Sequence, residues 1–187
     1  GSACIEFWLQ EGGIEKKIVF SGDVGNIDQP ILNDPQPVAE TDYLVVESTY
    51  GNRLHDKPKD VCAELTDVLQ RAFDRGGSVI IPAFAVGRTQ ELLYLLREIK
   101  QKKLVHGHDG FPVYLDSPLA EEATSVFLQC DTDCFDPETQ AVLRSGQNPI
   151  WCPGLQLALT VEDSKAINND PRSKVILSAS GMCDAGR

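Results

Sequence analysis

Apolar residues recur along this chain with two different periods. Near the start, Ile5-Glu6-Phe7-Trp8-Leu9 and the run from Ile14 to Phe20 flank Gln10-Glu11-Gly12-Gly13. Two β-prone runs around a Gly-Gly pair predict a β-hairpin. Residues 26–41 hold Pro30, Pro35 and Pro37 and are expected to form a surface loop. From Asp42 to Glu47 the chain is apolar almost without a break, the pattern of a strand buried on both faces of a parallel sheet. The period then lengthens. Val61, Leu65, Val68, Leu69, Ala72 and Phe73 lie on one stripe of a 3.6-residue helix, which Gly76-Gly77 ends.

Strand and helix alternate from there on. Ser78 to Ile81 is a strand, followed by a helix over roughly 88–103 with Leu92, Leu93, Leu96 and Ile99 inward and lysines at its end. Val113 to Asp116 is a strand, and Ser117-Pro118 caps a helix reaching about Cys130. Asp136-Pro137 caps a shorter helix that stops at Gly146. Residues 147–156 read as irregular, Thr160 caps a helix through Ile167, and Lys174 to Leu177 is a last strand. Such alternation predicts an α/β fold, a parallel sheet flanked by helices, preceded here by a short antiparallel β segment.

Composition changes this picture little. A 42% hydrophobic and 24% charged content is ordinary for a soluble globular chain, and no apolar run is long enough to cross a bilayer. No signal peptide is visible, which points to a cytoplasmic protein, nuclear in a eukaryote. The only methionine is Met182, so the chain is expected to be a piece of a longer protein. The six cysteines are scattered through helical and strand patterns, and reduced thiols are expected. Cys130 and Cys134 lack a second ligand pair, which argues against zinc there. The net charge of −11 argues, taken alone, against a nucleic-acid surface. A cleft whose positive charge comes from metal ions or further segments is compatible with it.

Two acidic turns stand out. Ser21-Gly22-Asp23-Val24-Gly25 and Glu47-Ser48-Thr49-Tyr50-Gly51 each end an apolar run. A carboxylate at the end of a buried strand is costly unless a metal, a cation or hydrogen-bond donors receive it. Open α/β sheets bind their ligands at that edge. Asp23 reads either as a cleft residue or as a simple Asx turn. Glu47 reads either as a site residue or as a loop brace. Phe84-Ala85-Val86-Gly87-Arg88-Thr89 leads into a helix N-terminus, where free N–H groups and Arg88 suit an anion such as phosphate, although a structural loop is the plain alternative. Ser180-Gly181 after the last strand has the same logic. His106-x-His108 is half of a metal site or a solvated loop, and His55 faces a cleft or solvent. No spacing of Ser, His, Asp or Cys points to a catalytic triad.

Taken in order, five segments resemble a known family. They are Phe-Ser-Gly-Asp-Val-Gly at 20–25, Val-Glu-Ser-Thr-Tyr-Gly-Asn-Arg at 46–53, Ile-Pro-Ala-Phe-Ala-Val-Gly-Arg-Thr-Gln-Glu-Leu-Leu at 81–93, Val-Tyr-Leu-Asp-Ser-Pro-Leu-Ala at 113–120 and Leu-Ser-Ala-Ser-Gly-Met-Cys-Asp-Ala-Gly-Arg at 177–187. Together they resemble the β-CASP branch of the metallo-β-lactamase superfamily, whose members are RNA-processing nucleases. The resemblance implies the end of a lactamase domain over 1–49 and most of a β-CASP domain over 50–187. It implies that Asp23 bridges two zinc ions and that Glu47 hydrogen-bonds a catalytic histidine. It also implies that Arg88, Ser180 and Gly181 meet RNA phosphates.

The Glu-Ser-Thr-Tyr form of the second segment resembles the RNA branch rather than the DNA-repair branch. Gly1-Ser2-Ala3 resembles residues that follow a zinc-ligand histidine. The family's His-x-His-x-Asp-His cluster and two later histidines are absent here, so these residues alone are expected to hold no zinc stably and to be inactive. The expected partners are RNA, the rest of the lactamase domain and, through an exposed docking face, a second copy of the chain. The alternatives are a non-catalytic RNA-binding or scaffold subunit and a small-molecule hydrolase of the same superfamily.

Overall fold

The computed structural model describes residues 3–54, 60–130 and 132–183. Gly1, Ser2, His55 and residues 184–187 of the last motif lie outside the described residues. The chain divides into two compact units, one of Gly1–Gln29 with Asn33–Lys57, the other of Pro30–Leu32 with Pro58–Arg187.

The first unit is a three-stranded sheet. β1 (Ile5–Glu11) and β2 (Ile14–Phe20) pair antiparallel from Ile5↔Phe20 to Glu11↔Ile14, as the sequence pattern predicts. Gly12 and Gly13 both take positive φ (58° and 79°), which a tight two-residue hairpin requires. β3 (Tyr43–Val45) adds to β2 in parallel, with Ile18↔Tyr43 and Phe20↔Val45.

The expected burial of β3 on both faces is not observed. Tyr43, Leu44 and Val45 are 58%, 57% and 52% exposed, and the unit that holds them has no helix of its own among the described residues. Val19 is the one fully buried apolar residue of its strands.

The second unit meets the α/β expectation. β4 (Val79–Pro82), β5 (Val113–Asp116), β6 (Leu155–Leu157) and β7 (Val175–Ser178) form a parallel sheet in the order β4-β7-β5-β6. Alternate residues of a strand point to opposite faces. Val113, Leu115, Val175 and Leu177 accordingly join one core with Leu69 and Phe73 of α1 (Val61–Phe73), Leu93, Leu96 and Ile99 of α2 (Arg88–Gln101) and Ala120 of α3 (Pro118–Gln129). Tyr114 and Ile176 face the other way and pack with Ala158 and with Ile167 of α5 (Val161–Ile167).

The helix ends follow local chemistry. Ser117, Asp136 and Thr160 accept the backbone N–H groups of Ala120, Thr139 and Asp163, capping α3, α4 (Pro137–Arg144) and α5. Behind α1, Gly76 at φ 69° lets its own N–H reach Phe73 O (2.8 Å) while Gly77 N–H reaches Ala72 O (2.9 Å).

Three expectations are corrected here. Val61 and Val68, read as part of the inward stripe of α1, are 54% and 41% exposed, since the helix contacts its neighbour along Leu69 and Phe73. Residues 147–156, read as irregular, carry the start of β6, which is held by cross-strand pairing of Leu155 with Val113. Residues 26–41, read as surface loop, contain a core residue, because Ile31 is 1% exposed. Its N–H donates to Asp136 Oδ2 and its carbonyl accepts from Asp136 N–H, both at 2.9 Å. These bonds hold Ile31 at φ 83°, a conformation that costs a β-branched residue energy. All six cysteines are free thiols. No helix among the described residues is long and apolar enough to cross a membrane.

Candidate functional site

In the first unit, β2 and β3 run side by side in the same direction, so the turns that follow them meet. Ser21 is buried at this junction. Its N–H donates to Val45 O (2.9 Å), its hydroxyl accepts Glu47 N–H (3.2 Å) and the same hydroxyl donates to Gly22 O (2.6 Å). Gly22 has φ 57°, and a Cβ there would lie 2.9 Å from Ala3 O, so both conformation and space demand glycine.

The Glu47 carboxylate ties the turns together. Oε1 accepts Val24 N–H at 2.9 Å. Oε2 accepts the Thr49 hydroxyl at 2.5 Å and Thr49 N–H at 3.4 Å. These donors, the Thr49 hydroxyl foremost and Val24 N–H next, hold the carboxyl below its ordinary pKa. A carboxylate has about four acceptor sites, so roughly one is left open on Glu47. Glu47 thus links both acidic turns through its carboxylate. Asp23, one residue before Val24, is exposed and has no side-chain partner among the described residues.

This donor set does not fit a metal ion unaided. No group of three or more His, Cys, Asp or Glu residues able to hold one occurs among the described residues. His108 Nε2 lies 3.1 Å from Asp74 Oδ1 and its ring packs edge-on against Phe73, with centroids 5.6 Å apart. His106 uses its backbone N–H on Gln70 Oε1 at 2.7 Å. Their loop is a structural corner of the second unit.

A second group forms at the C-terminal edge of the parallel sheet. β4 and β7 are neighbours, with Pro82 opposite Ser178, so the loop after β4 and the loop after β7 lie together. Gly181 packs on the former so closely that a Cβ would sit 2.9 Å from Phe84 N and 3.2 Å from Ala83 C. Arg88 opens α2, is 61% exposed and pairs with Glu91 Oε2 at 2.7 Å, an i,i+3 surface ion pair of small worth. Arg88, Ser180 and Gly181 thus follow neighbouring strands at one edge of the sheet, where close backbone packing accounts for the glycine at 181. At the neighbouring strand end, Asp116 Oδ2 accepts the Ser164 hydroxyl at 2.9 Å.

Two residues of this edge have no role of their own in the sequence reading. Thr89 and Gln90 are 2% and 0% exposed. Thr89 donates its hydroxyl to Phe84 O at 2.7 Å. Gln90 donates to Ala85 O (3.1 Å) and Thr124 Oγ1 (2.9 Å) and accepts Gly87 N–H (2.7 Å). The available signal was position. Gln90 lies three residues before Leu93, on the inward stripe of α2.

Comparison with known proteins fits this arrangement. The profile of the Beta-Casp domain matches residues 89–187. A ribonuclease of Thermus thermophilus is 37% identical over 94% of this chain and 39% of its own length. A transcription termination factor of Methanosarcina mazei is 33% identical over 100% of this chain and 29% of its own. An endoribonuclease of Kluyveromyces lactis is 31% identical over 96% of this chain and 23% of its own. The chain spans well under half the length of these relatives. The family implies metal-dependent catalysis. With its matching domain, its parallel sheet and its two acidic turns, the chain belongs to the metallo-β-lactamase/β-CASP family of RNA-processing nucleases.

Proposed function

We propose that this chain is part of a zinc-dependent hydrolase that cleaves RNA phosphodiester bonds. The observation that carries the reading is the junction of the two acidic turns. Glu47 uses most of its acceptor sites on Val24 and Thr49, and the result is a fixed turn presenting the Asp23 carboxylate, which has no partner among the described residues. Such an arrangement suits a metal ligand, because the turn that carries the carboxylate is already held in place. Two zinc ions in the full-length protein would polarise the scissile phosphate and supply the attacking hydroxide. Asp23 would be one ligand, and the others would come from sequence outside these residues.

Glu47 positions the Asp23 turn, and its open acceptor site orients a histidine from outside these residues that protonates the leaving oxygen. Arg88 and the loop at Ser180 and Gly181 take RNA phosphates. The exposed face of the first unit, with Phe7, Tyr43 and Val45 on view, docks the rest of the lactamase domain. The 187 residues on their own are expected to be inactive.

The test is Asp23→Ala in the full-length protein, with RNA cleavage and zinc content measured together. Loss of an outer-shell partner already costs about 10–100-fold in metal affinity or activity, and a direct ligand should cost at least that. Wild-type cleavage with full metal content would remove Asp23 from the site and shift the reading to a non-catalytic RNA-binding subunit.

A further inference from the structure

The loop between β4 and α2 is fixed from both sides, yet its most apolar side chain stands in solvent. Phe84 O accepts both the hydroxyl and the N–H of Thr89, at 2.7 and 3.3 Å. The next residues are held by the fully buried Gln90, through Ala85 O and Gly87 N–H. On the other flank, Gly181 leaves no room for a methyl group beside Phe84 N. The backbone of Phe84 is therefore held in one place, while the residue as a whole is 56% exposed.

A large ring left in water on a rigid loop forfeits the burial that would stabilise it. Flexibility is not the explanation, because the hydrogen bonds on both sides remove it. Two further apolar residues of these two loops are also exposed, Val86 at 57% and Met182 at 67%. Arg88 stands four residues on, in a surface ion pair with Glu91 that a phosphate can displace at little cost. A flat apolar ring four residues from an exposed guanidinium, on one loop and helix start, matches a nucleotide, which joins a flat base to an anion. An apolar peptide would make no use of the guanidinium.

We propose that Phe84 is a stacking platform for one unpaired RNA base, with the adjoining phosphate at Arg88. The proposal rests on RNA being the substrate, as argued above. In a chain of net charge −11, general attraction for phosphate is weak, so the stacking contact carries a large share of the local binding. Every base has a π face, so the contact is indifferent to sequence. The braces Thr89 and Gln90 are positioning residues for it.

The experiment uses the full-length protein and two ribose-methylated, uncleavable single-stranded oligonucleotides, one with all its bases and one abasic at several positions. Binding is followed by fluorescence anisotropy. Phe84→Leu is expected to weaken binding of the base-bearing oligonucleotide by about tenfold, the scale of one lost stacking contact, and to leave the abasic one unchanged. Phe84→Tyr, which keeps the ring, should bind like wild type. Arg88→Gln should weaken both oligonucleotides alike.

Equal loss on both oligonucleotides in Phe84→Leu, or no loss on either, overturns the stacking role while leaving the RNA reading intact. Failure of the wild-type protein to bind either oligonucleotide overturns the RNA reading and this proposal with it. Phe84→Trp supplies an independent readout, since an indole stacked on a base is quenched. Quenching by the base-bearing but not the abasic oligonucleotide supports the proposal, and its absence overturns it.

Discussion

The two units use the same kind of apolar run to opposite ends. In the second, the strands β5 and β7 are buried, and helices cover both faces of their sheet. In the first, β1, β2 and β3 show Phe7, Trp8, Leu9, Tyr43 and Leu44 to solvent. Covered strands convert apolar area into stability, at about 25 cal/mol for each Å² buried. Uncovered ones do not, and the first unit is held instead by backbone pairing and by polar ties such as those of Ser21, Asp42 and Glu47. The candidate metal-ligand carboxylate sits in the unit with little core, and the candidate phosphate contacts sit on the one that holds the core clusters.

Truncations give the sharpest break between the two. Leu96→Ala empties a site that is fully buried and should cost about 2–5 kcal/mol in denaturant unfolding of the second unit. Leu44→Ala, at a residue 57% exposed, should stay within about 0.5 kcal/mol. Similar losses at the two sites would show that β3 is covered in solution. A middle-sized effect is expected where the rigid unit is tightest. Gly181→Ala places a methyl 2.9 Å from Phe84 N and should cost about 1–3 kcal/mol by thermal unfolding. An unchanged melting temperature would mean that the loop after β7 yields easily.

The smallest effect is electrostatic. Glu47 is held below its ordinary pKa, so its contribution to stability is present above the unfolded value of roughly 4.3 and is lost as pH falls through the lower folded value. Thr49→Val removes the leading donor and should move the Glu47 titration, followed by carboxyl NMR shifts, up towards the ordinary range. A midpoint that stays in place would assign the effect to Val24 N–H instead.

What the sequence made legible was what depends on neighbours in the chain. The hairpin at Gly12-Gly13 and the caps at Ser117, Asp136 and Thr160 are decided within about four residues. β6 escaped because Leu155–Leu157 is three residues long, follows Pro153 and Gly154, and exists through its pairing with β5. The burial of β3 was misjudged because an apolar run records what a strand can be packed against, not whether a covering layer is there. Asp23 and Glu47 were legible as odd acids at strand ends. The bond between Glu47 and Val24 was not, since it spans 23 residues and needs the parallel register of β2 and β3. Gln90 was hidden for the same reason, with a partner 34 residues away in α3.

The pairing of Ile31 with Asp136 has a consequence for anyone who wishes to handle the second unit as a separate module. Asp136 also caps α4 through Thr139 N–H at 2.6 Å, so one carboxylate serves both a helix start and a segment 105 residues earlier in the chain. The second unit is discontinuous: a cut before residue 58 would not release it whole but would strip out its first stretch of sequence, Pro30–Leu32, and leave a hole the size of an isoleucine. Any transplant of this domain into another protein has to carry that three-residue peg along, spliced in as an insert rather than inherited from either end.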